Sequence, residues 1–194
     1  LLDTGLGYNT SAGIPQIHEN LSAHGFGAGE VTKVLLTHLH KDHAGGILRK
    51  HHDGKTNAMF PNAQYYIYGP EAAYALEKGA PSYQNELYAD WLSSDQIHWL
   101  AGDEGSIEDY IFFKHSGAHS LQHIVFWIKD ADDIIFYGGD EAPQYKQMIM
   151  KYVAKYDTDG KKAMELRAQY ADQGKSEHWQ FLFYHDVKMP TAYL

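Results

Sequence analysis

Cysteine is absent from the 194-residue chain. Disulfides and thiolate metal ligands are therefore excluded, and the redox compartment stays open. Long apolar runs are absent as well. None approaches the about 18 residues that a membrane-spanning helix needs, so no membrane partner is expected. Basic residues are in the minority, with 16 Lys and Arg against 25 Asp and Glu and a formal net charge of −9. They form no cluster or stripe, which argues against a nucleic-acid partner. An initiator Met is missing too: the chain opens on Leu1-Leu2-Asp3-Thr4-Gly5, which reads as the inside of a strand. A preceding N-terminal segment is therefore expected. With no leader in view, a cytoplasmic location is expected.

What remains is an ordinary globular composition, 44% hydrophobic and 14% aromatic, of a size that suits a single domain over 1–194 with a sizeable core. Histidine is plentiful, with 13 copies. Three of them fall in one stretch, Thr37-His38-Leu39-His40-Lys41-Asp42-His43-Ala44-Gly45-Gly46. It directly follows the apolar run Val31, Val34, Leu35 and Leu36, so a buried strand empties into a loop of potential ligands. Imidazole nitrogens with a carboxylate oxygen suit zinc, iron or manganese. In an extended segment alternate residues share a face, which places His38, His40 and Asp42 together. A turn at Asp42, eased by Gly45 and Gly46, then swings His43 toward the same place. The structural alternative is a polar surface loop that happens to be rich in histidine.

Along the chain, Leu1 to Gly7 reads as a strand end and Ile14 to Gly25 as a helix carrying Ile17 and Leu21, stopped by Gly25. Val31 to Thr37 is a strand, His43 to Lys50 a short helix, and Arg49 to Thr56 a polar loop. Ala63 to Tyr68 is an aromatic strand, and Pro70 suits the first turn of a helix through Lys78. Asn85 to Ser93 follows as a helix with Leu87, Trp91 and Leu92 on its apolar stripe. Strands are expected at 110–114, 124–129 and 134–137, then helices at 145–156 and 160–173, the latter closed by Gly174. A last strand at 179–184 delivers His185. Strands interspersed with helices imply a layered α/β or α+β fold.

Three more candidate ligands stand at predicted strand ends: His119, Asp140 after Gly138-Gly139, and His185. Strand ends along one sheet edge are where such folds build sites. Singly each has another explanation, as a turn cap, a helix cap and a packed core histidine respectively.

The set resembles the metallo-β-lactamase superfamily of metal-dependent hydrolases, through Leu2-Asp3-Thr4-Gly5, His38-x-His40-x-Asp42-His43, Gly117-Ala118-His119, Gly138-Gly139-Asp140 and His185. The resemblance covers nearly the whole chain. It implies an αββα four-layer sandwich with a dinuclear metal site, whose first strands precede Leu1. It assigns His38, His40 and His119 to one metal, Asp42, His43 and His185 to the other, and Asp140 to both. Zinc is the expected metal, with iron, manganese or cobalt as alternatives. Asp3 supports the ligand loop. His123 competes with His119 but is read as a supporting residue. The reaction implied is attack of a metal-activated water on a carbonyl or phosphoryl centre, with Asp42 or Asp140 passing a proton to the leaving group.

Within the family, the missing cysteine and the presence of Asp140 set aside the β-lactamase subclasses. His40 sets aside the flavodiiron type, which carries Glu there. Only nine residues follow His185, which weakens a glyoxalase II–like thioesterase. The pattern is most similar to the N-acyl homoserine lactonase branch, with the segments 62–66, 71–76 and Asp157-x-Asp159 through Arg167 as softer parallels. A small-molecule lactone or ester is the expected substrate, and a homodimer is possible. Thioesterase, organophosphate hydrolase and non-catalytic ligand-binding member are the alternatives. The lactonases place a tyrosine three residues after the bridging aspartate. Here that position is Pro143, and Tyr145 follows it with a packing role equally open.

Overall fold

The computed structural model describes residues 1–51 and 54–194. The chain forms two compact units, Leu1–Leu100 and Ala101–Leu194. In each, a sheet carries helices, and the candidate ligands sit in the loops that leave its strands.

The first unit runs α1 (Gln16–Ala23), β1 (Lys33–Leu35), α2 (Lys41–Ala44), β2 (Leu48–Lys50), β3 (Thr56–Ala58), β4 (Gln64–Tyr68), α3 (Gly69–Lys78), α4 (Asn85–Tyr88) and β5 (Ile97–Leu100). Strands β1, β4 and β5 make a parallel sheet in that order. Parallel strands are covered on both faces, which explains the unbroken burial of Tyr65, Tyr66, Ile67 and Tyr68. Leu2 bridges to Leu35 in parallel, so the opening residues lie along β1 as their strand-like pattern predicts. The core gathers Val34, Leu36, Leu39, Phe60, Tyr65 and Ile67 under Ile17 and Leu21 of α1. The predicted helix at 85–93 is present as α4 followed by a 3-10 turn, Asp90–Ser93.

One part of this unit differs from expectation. The helix predicted over 43–50 is a single turn, α2, and the chain then enters β2, which pairs antiparallel with β3. Gly45 and Gly46 are poor helix formers. They serve close approach instead of an unusual turn. A Cβ on Gly46 would lie 2.2 Å from the Thr4 carbonyl oxygen, and one on Gly45 would lie 2.6 Å from that of Leu6. The expected loop over 49–56 is thus bounded by strands, and its centre, residues 52 and 53, lies outside the described residues.

The second unit runs β6 (Glu104–Ile107), β7 (Ile111–His115), β8 (Ile124–Asp130), β9 (Asp133–Tyr137), α5 (Tyr145–Ile149), α6 (Gly160–Ser176), β10 (Gln180–Leu182) and β11 (Thr191–Tyr193). Its six-stranded sheet has the order β11-β10-β9-β8-β7-β6, antiparallel except for the β9–β10 pair. That parallel pair is joined through α6, as a parallel connection requires. Phe136 lies against Tyr170, Trp179 and Phe181 at ring distances of 4.8, 5.5 and 5.3 Å, so aromatic packing holds α6 to the sheet. Strands β5, β6 and β11 have short patterns that the sequence reading passed over.

The helix expected over 145–156 ends at Ile149. Beyond it the Tyr152 carbonyl accepts a hydrogen bond from Arg167 Nη2 at 2.9 Å rather than from a helical amide. Helix α6 runs past Gly174 to Ser176, because that glycine is there for space: a Cβ on it would lie 2.4 Å from the Phe181 ring. Among the described residues, no helix is long and apolar enough to cross a membrane. In Gly174→Ala, helix propensity favours alanine by about 1 kcal/mol, while overpacking against fully buried Phe181 costs about 1–3 kcal/mol. The expected result is a lower urea midpoint, and a raised midpoint contradicts this packing.

Candidate metal centre

In the first unit the ligand loop leaves β1 at Thr37, and everything polar in it is tied down. Asp3 is buried, and its carboxylate accepts from Thr37 N at 2.8 Å, Thr37 Oγ1 at 2.9 Å and His43 Nδ1 at 2.7 Å. Because the Thr37 hydroxyl spends its proton on Asp3, its oxygen accepts from His38 Nδ1 at 3.0 Å. Both His38 and His43 thereby carry their proton on Nδ1 and present Nε2 as a lone pair. The Nε2 of His38 lies 2.9 Å from Nδ1 of His40, and Nε2 of His43 lies 3.8 Å from Asp42 Oδ2. His40 is the N-cap of α2, so Asp42 and His43 stand on a helical turn and not on the extended run expected. Glu71, also buried, accepts from Leu39 N at 2.8 Å and anchors the loop between its two histidines.

The second unit carries His119, Asp140 and His185. The Asp140 carboxylate divides its oxygens, with Oδ2 3.2 Å from His119 Nε2 and Oδ1 3.1 Å from His185 Nε2. His119 is turned by Asp157, whose Oδ1 lies 3.1 Å from Nδ1. Burial opposes the charged form of this imidazole, but the Asp157 hydrogen bond and the charges of Asp140, Asp157 and Glu141 outweigh it and raise its pKa. Glu141 Oε1 accepts from the amides of Ala118 and His119 at 2.8 and 3.0 Å. Burial pushes the Glu141 carboxyl up, against those two bonds. His185 is anchored through its backbone, to the Pro143 carbonyl at 3.0 Å and from Gln144 Nε2 at 3.0 Å.

His123 behaves as a support. Its Nε2 accepts from the Asp140 amide at 3.2 Å and its Nδ1 meets Ser116 Oγ at 3.1 Å, so both ring nitrogens are spent. Tyr145 packs against Phe183 at 6.1 Å, and its amide donates to Asp186; it is partly buried against the core of this unit. Thr37, Glu71, Glu141, Asp157 and Arg167 escaped notice as supports, although Asp157 lay in a segment already singled out.

The donor set fits divalent cations. His38 Nε2 and His40 Nδ1 converge to 2.9 Å, a separation at which one proton or one cation is shared between them. Ligating histidines characteristically give the second ring nitrogen to an oxygen acceptor, and His38, His43 and His119 all do. Imidazole with carboxylate and no thiolate suits zinc, iron, manganese or cobalt.

The chain belongs to the metallo-beta-lactamase superfamily, whose family model matches residues 1–170, and is a hydrolase of that superfamily. No curated protein sequence matches it. Among solved structures, a probable metal-dependent hydrolase from Staphylococcus aureus aligns with TM-score 0.84 and 22% identity, covering 98% of this chain and 71% of that one. AidC, a dizinc quorum-quenching lactonase in complex with a product, aligns with TM-score 0.77 and 19% identity over 100% of this chain and 70% of that one. The hydrolase AbOPH aligns with TM-score 0.75 and 23% identity over 99% and 69%. These likenesses show the mixed α/β fold of the superfamily.

Replacing Thr37 by isosteric valine removes the hydroxyl between Asp3 and His38. Loss of such a support costs about 10–100-fold in metal affinity. Competition with a chelator is expected to show that loss, and wild-type competition contradicts the role given to Thr37.

Proposed function

We propose that His38, His40, Asp42, His43, His119, Asp140 and His185 act as one dinuclear centre that opens a lactone ring, of the N-acyl homoserine lactone kind. His38, His40 and His119 would hold one cation, Asp42, His43 and His185 the other, and Asp140 would serve both. The observation that carries the reading is the divided Asp140 carboxylate, one oxygen against each of two imidazole Nε2 atoms. A pair of divalent cations, zinc foremost, would supply Lewis acidity there, polarising a carbonyl and acidifying water.

The chain's own groups do the positioning and the proton handling. Asp3 and Thr37 keep His38 and His43 in the Nδ1–H form, so that no rearrangement is needed when substrate arrives. Asp42, with 37% of its side chain exposed, has the access to take a proton from the attacking water and pass it to the departing alkoxide. Asp140 is the other carboxylate placed for that transfer. The lactone enters the proposal from AidC, solved in complex with a product N-hexnoyl-L-homoserine, and from an N-acyl homoserine lactone hydrolase with its product bound at the catalytic metal centre.

A panel of acyl homoserine lactones, aryl esters, thioesters and phosphotriesters tests the reading on protein loaded with zinc, manganese or cobalt. Lactones are expected to give the highest kcat/KM. A preference for thioesters or phosphotriesters moves the substrate class and leaves the centre intact, while no turnover of any member overturns the hydrolytic reading. Asp140→Ala is expected to reduce lactone opening to background, and retained activity removes Asp140 from the site.

A further inference from the structure

We infer that Arg167 is a positioning residue that holds His119 in its ligand orientation through Asp157. Arg167 lies in the middle of α6 and is 1% exposed. A guanidinium that deep in a domain loses much of its hydration and stays only where several acceptors repay it. Here they come from two further segments. Nη2 donates to the Tyr152 carbonyl at 2.9 Å and lies 3.6 Å from Asp157 Oδ2. Nη1 donates to the Glu141 carbonyl at 3.3 Å, one residue beyond Asp140.

The two oxygens of Asp157 thus face opposite ways, Oδ2 toward the guanidinium and Oδ1 toward His119 Nδ1 at 3.1 Å. The Asp157 side chain is itself fully buried. The neighbouring backbone adds to the same attachment, since Thr158 N and Asp159 N donate to the carbonyls of His119 and Ala118, both at 2.9 Å. Without the cation, Asp157 Oδ2 would lose the charged partner 3.6 Å away that fixes the direction of the carboxylate. The carboxylate would then be free to turn, and Oδ1 would no longer be held against the imidazole. Lysine keeps the charge but not the fork that spans three acceptors. Arg167 touches neither substrate nor metal in this scheme, and it reaches the His119 ring through Asp157.

The role rests on His119 being a ligand, as proposed above, and the test separates the two. The variants are Arg167→Met, Arg167→Lys and Asp157→Asn, each compared with wild type in three measurements. Cobalt uptake is followed by its visible bands under chelator competition. The protonation of His119 Nδ1 in metal-stripped protein is read from imidazole nitrogen NMR, and stability from urea unfolding. Wild-type His119 is expected in a single form whose Nδ1 carries a proton held by Asp157 Oδ1. Arg167→Met is expected to lose that single form, to bind cobalt at least about 10-fold more weakly with shifted bands, and to lower kcat more than it changes KM. Arg167→Lys is expected to recover part of each effect, and Asp157→Asn to resemble Arg167→Met at lower cost in stability. A wild-type Nδ1 signal and cobalt spectrum in Arg167→Met, with only a lower urea midpoint, overturns the positioning role. Failure of wild-type protein to bind cobalt while the NMR difference persists overturns the metal reading and leaves the positioning of His119 standing.

Discussion

The buried carboxylate of Asp3 is the constraint on which the first unit's ligand loop depends. A carboxylate out of water is costly unless hydrogen bonds replace its hydration, and this one collects three, from the Thr37 amide, the Thr37 hydroxyl and His43. In meeting its own need it sets the tautomers of both His38 and His43. Asp3 adopts a φ of 49° to do so, a left-handed conformation that aspartate tolerates better than most residues. The close glycines follow from the same arrangement, for the segment after Asp3 lies directly against Gly45 and Gly46.

The second unit repeats the device with different residues. Asp157 turns His119, Glu141 holds the amides that carry it, and His123 holds the amide of Asp140. In both units, acidic or imidazole side chains buried beneath the ligand loops spend their hydrogen-bonding capacity on orientation. The candidate ligands His38, His43 and His119 are thereby oriented by hydrogen bonds within the protein itself. The acidic balance of the chain is in part the sum of these internal carboxylates and not a surface property alone.

The candidate ligands were legible in the sequence, because histidines and aspartates at strand ends have few other reasons to cluster. The supporting residues were not. Glu71 and Arg167 lie on helices where a charged residue ordinarily faces solvent, and nothing local marks them as buried. Strands β5, β6 and β11 are three or four residues long, and too few alternations fit in that length to set them apart from loop. Gly45, Gly46 and Gly174 looked like turn or stop signals. Their meaning is the nearness of another chain segment, which only the tertiary structure reveals.

The central claim is that the seven candidate ligands hold two metal ions. Metal content after dialysis of zinc-loaded protein, measured by atomic emission, tests it most directly. Two equivalents per chain are expected, falling when Asp140 is replaced by alanine. A chain that retains no metal, or whose metal content is indifferent to loss of Asp140, contradicts the account.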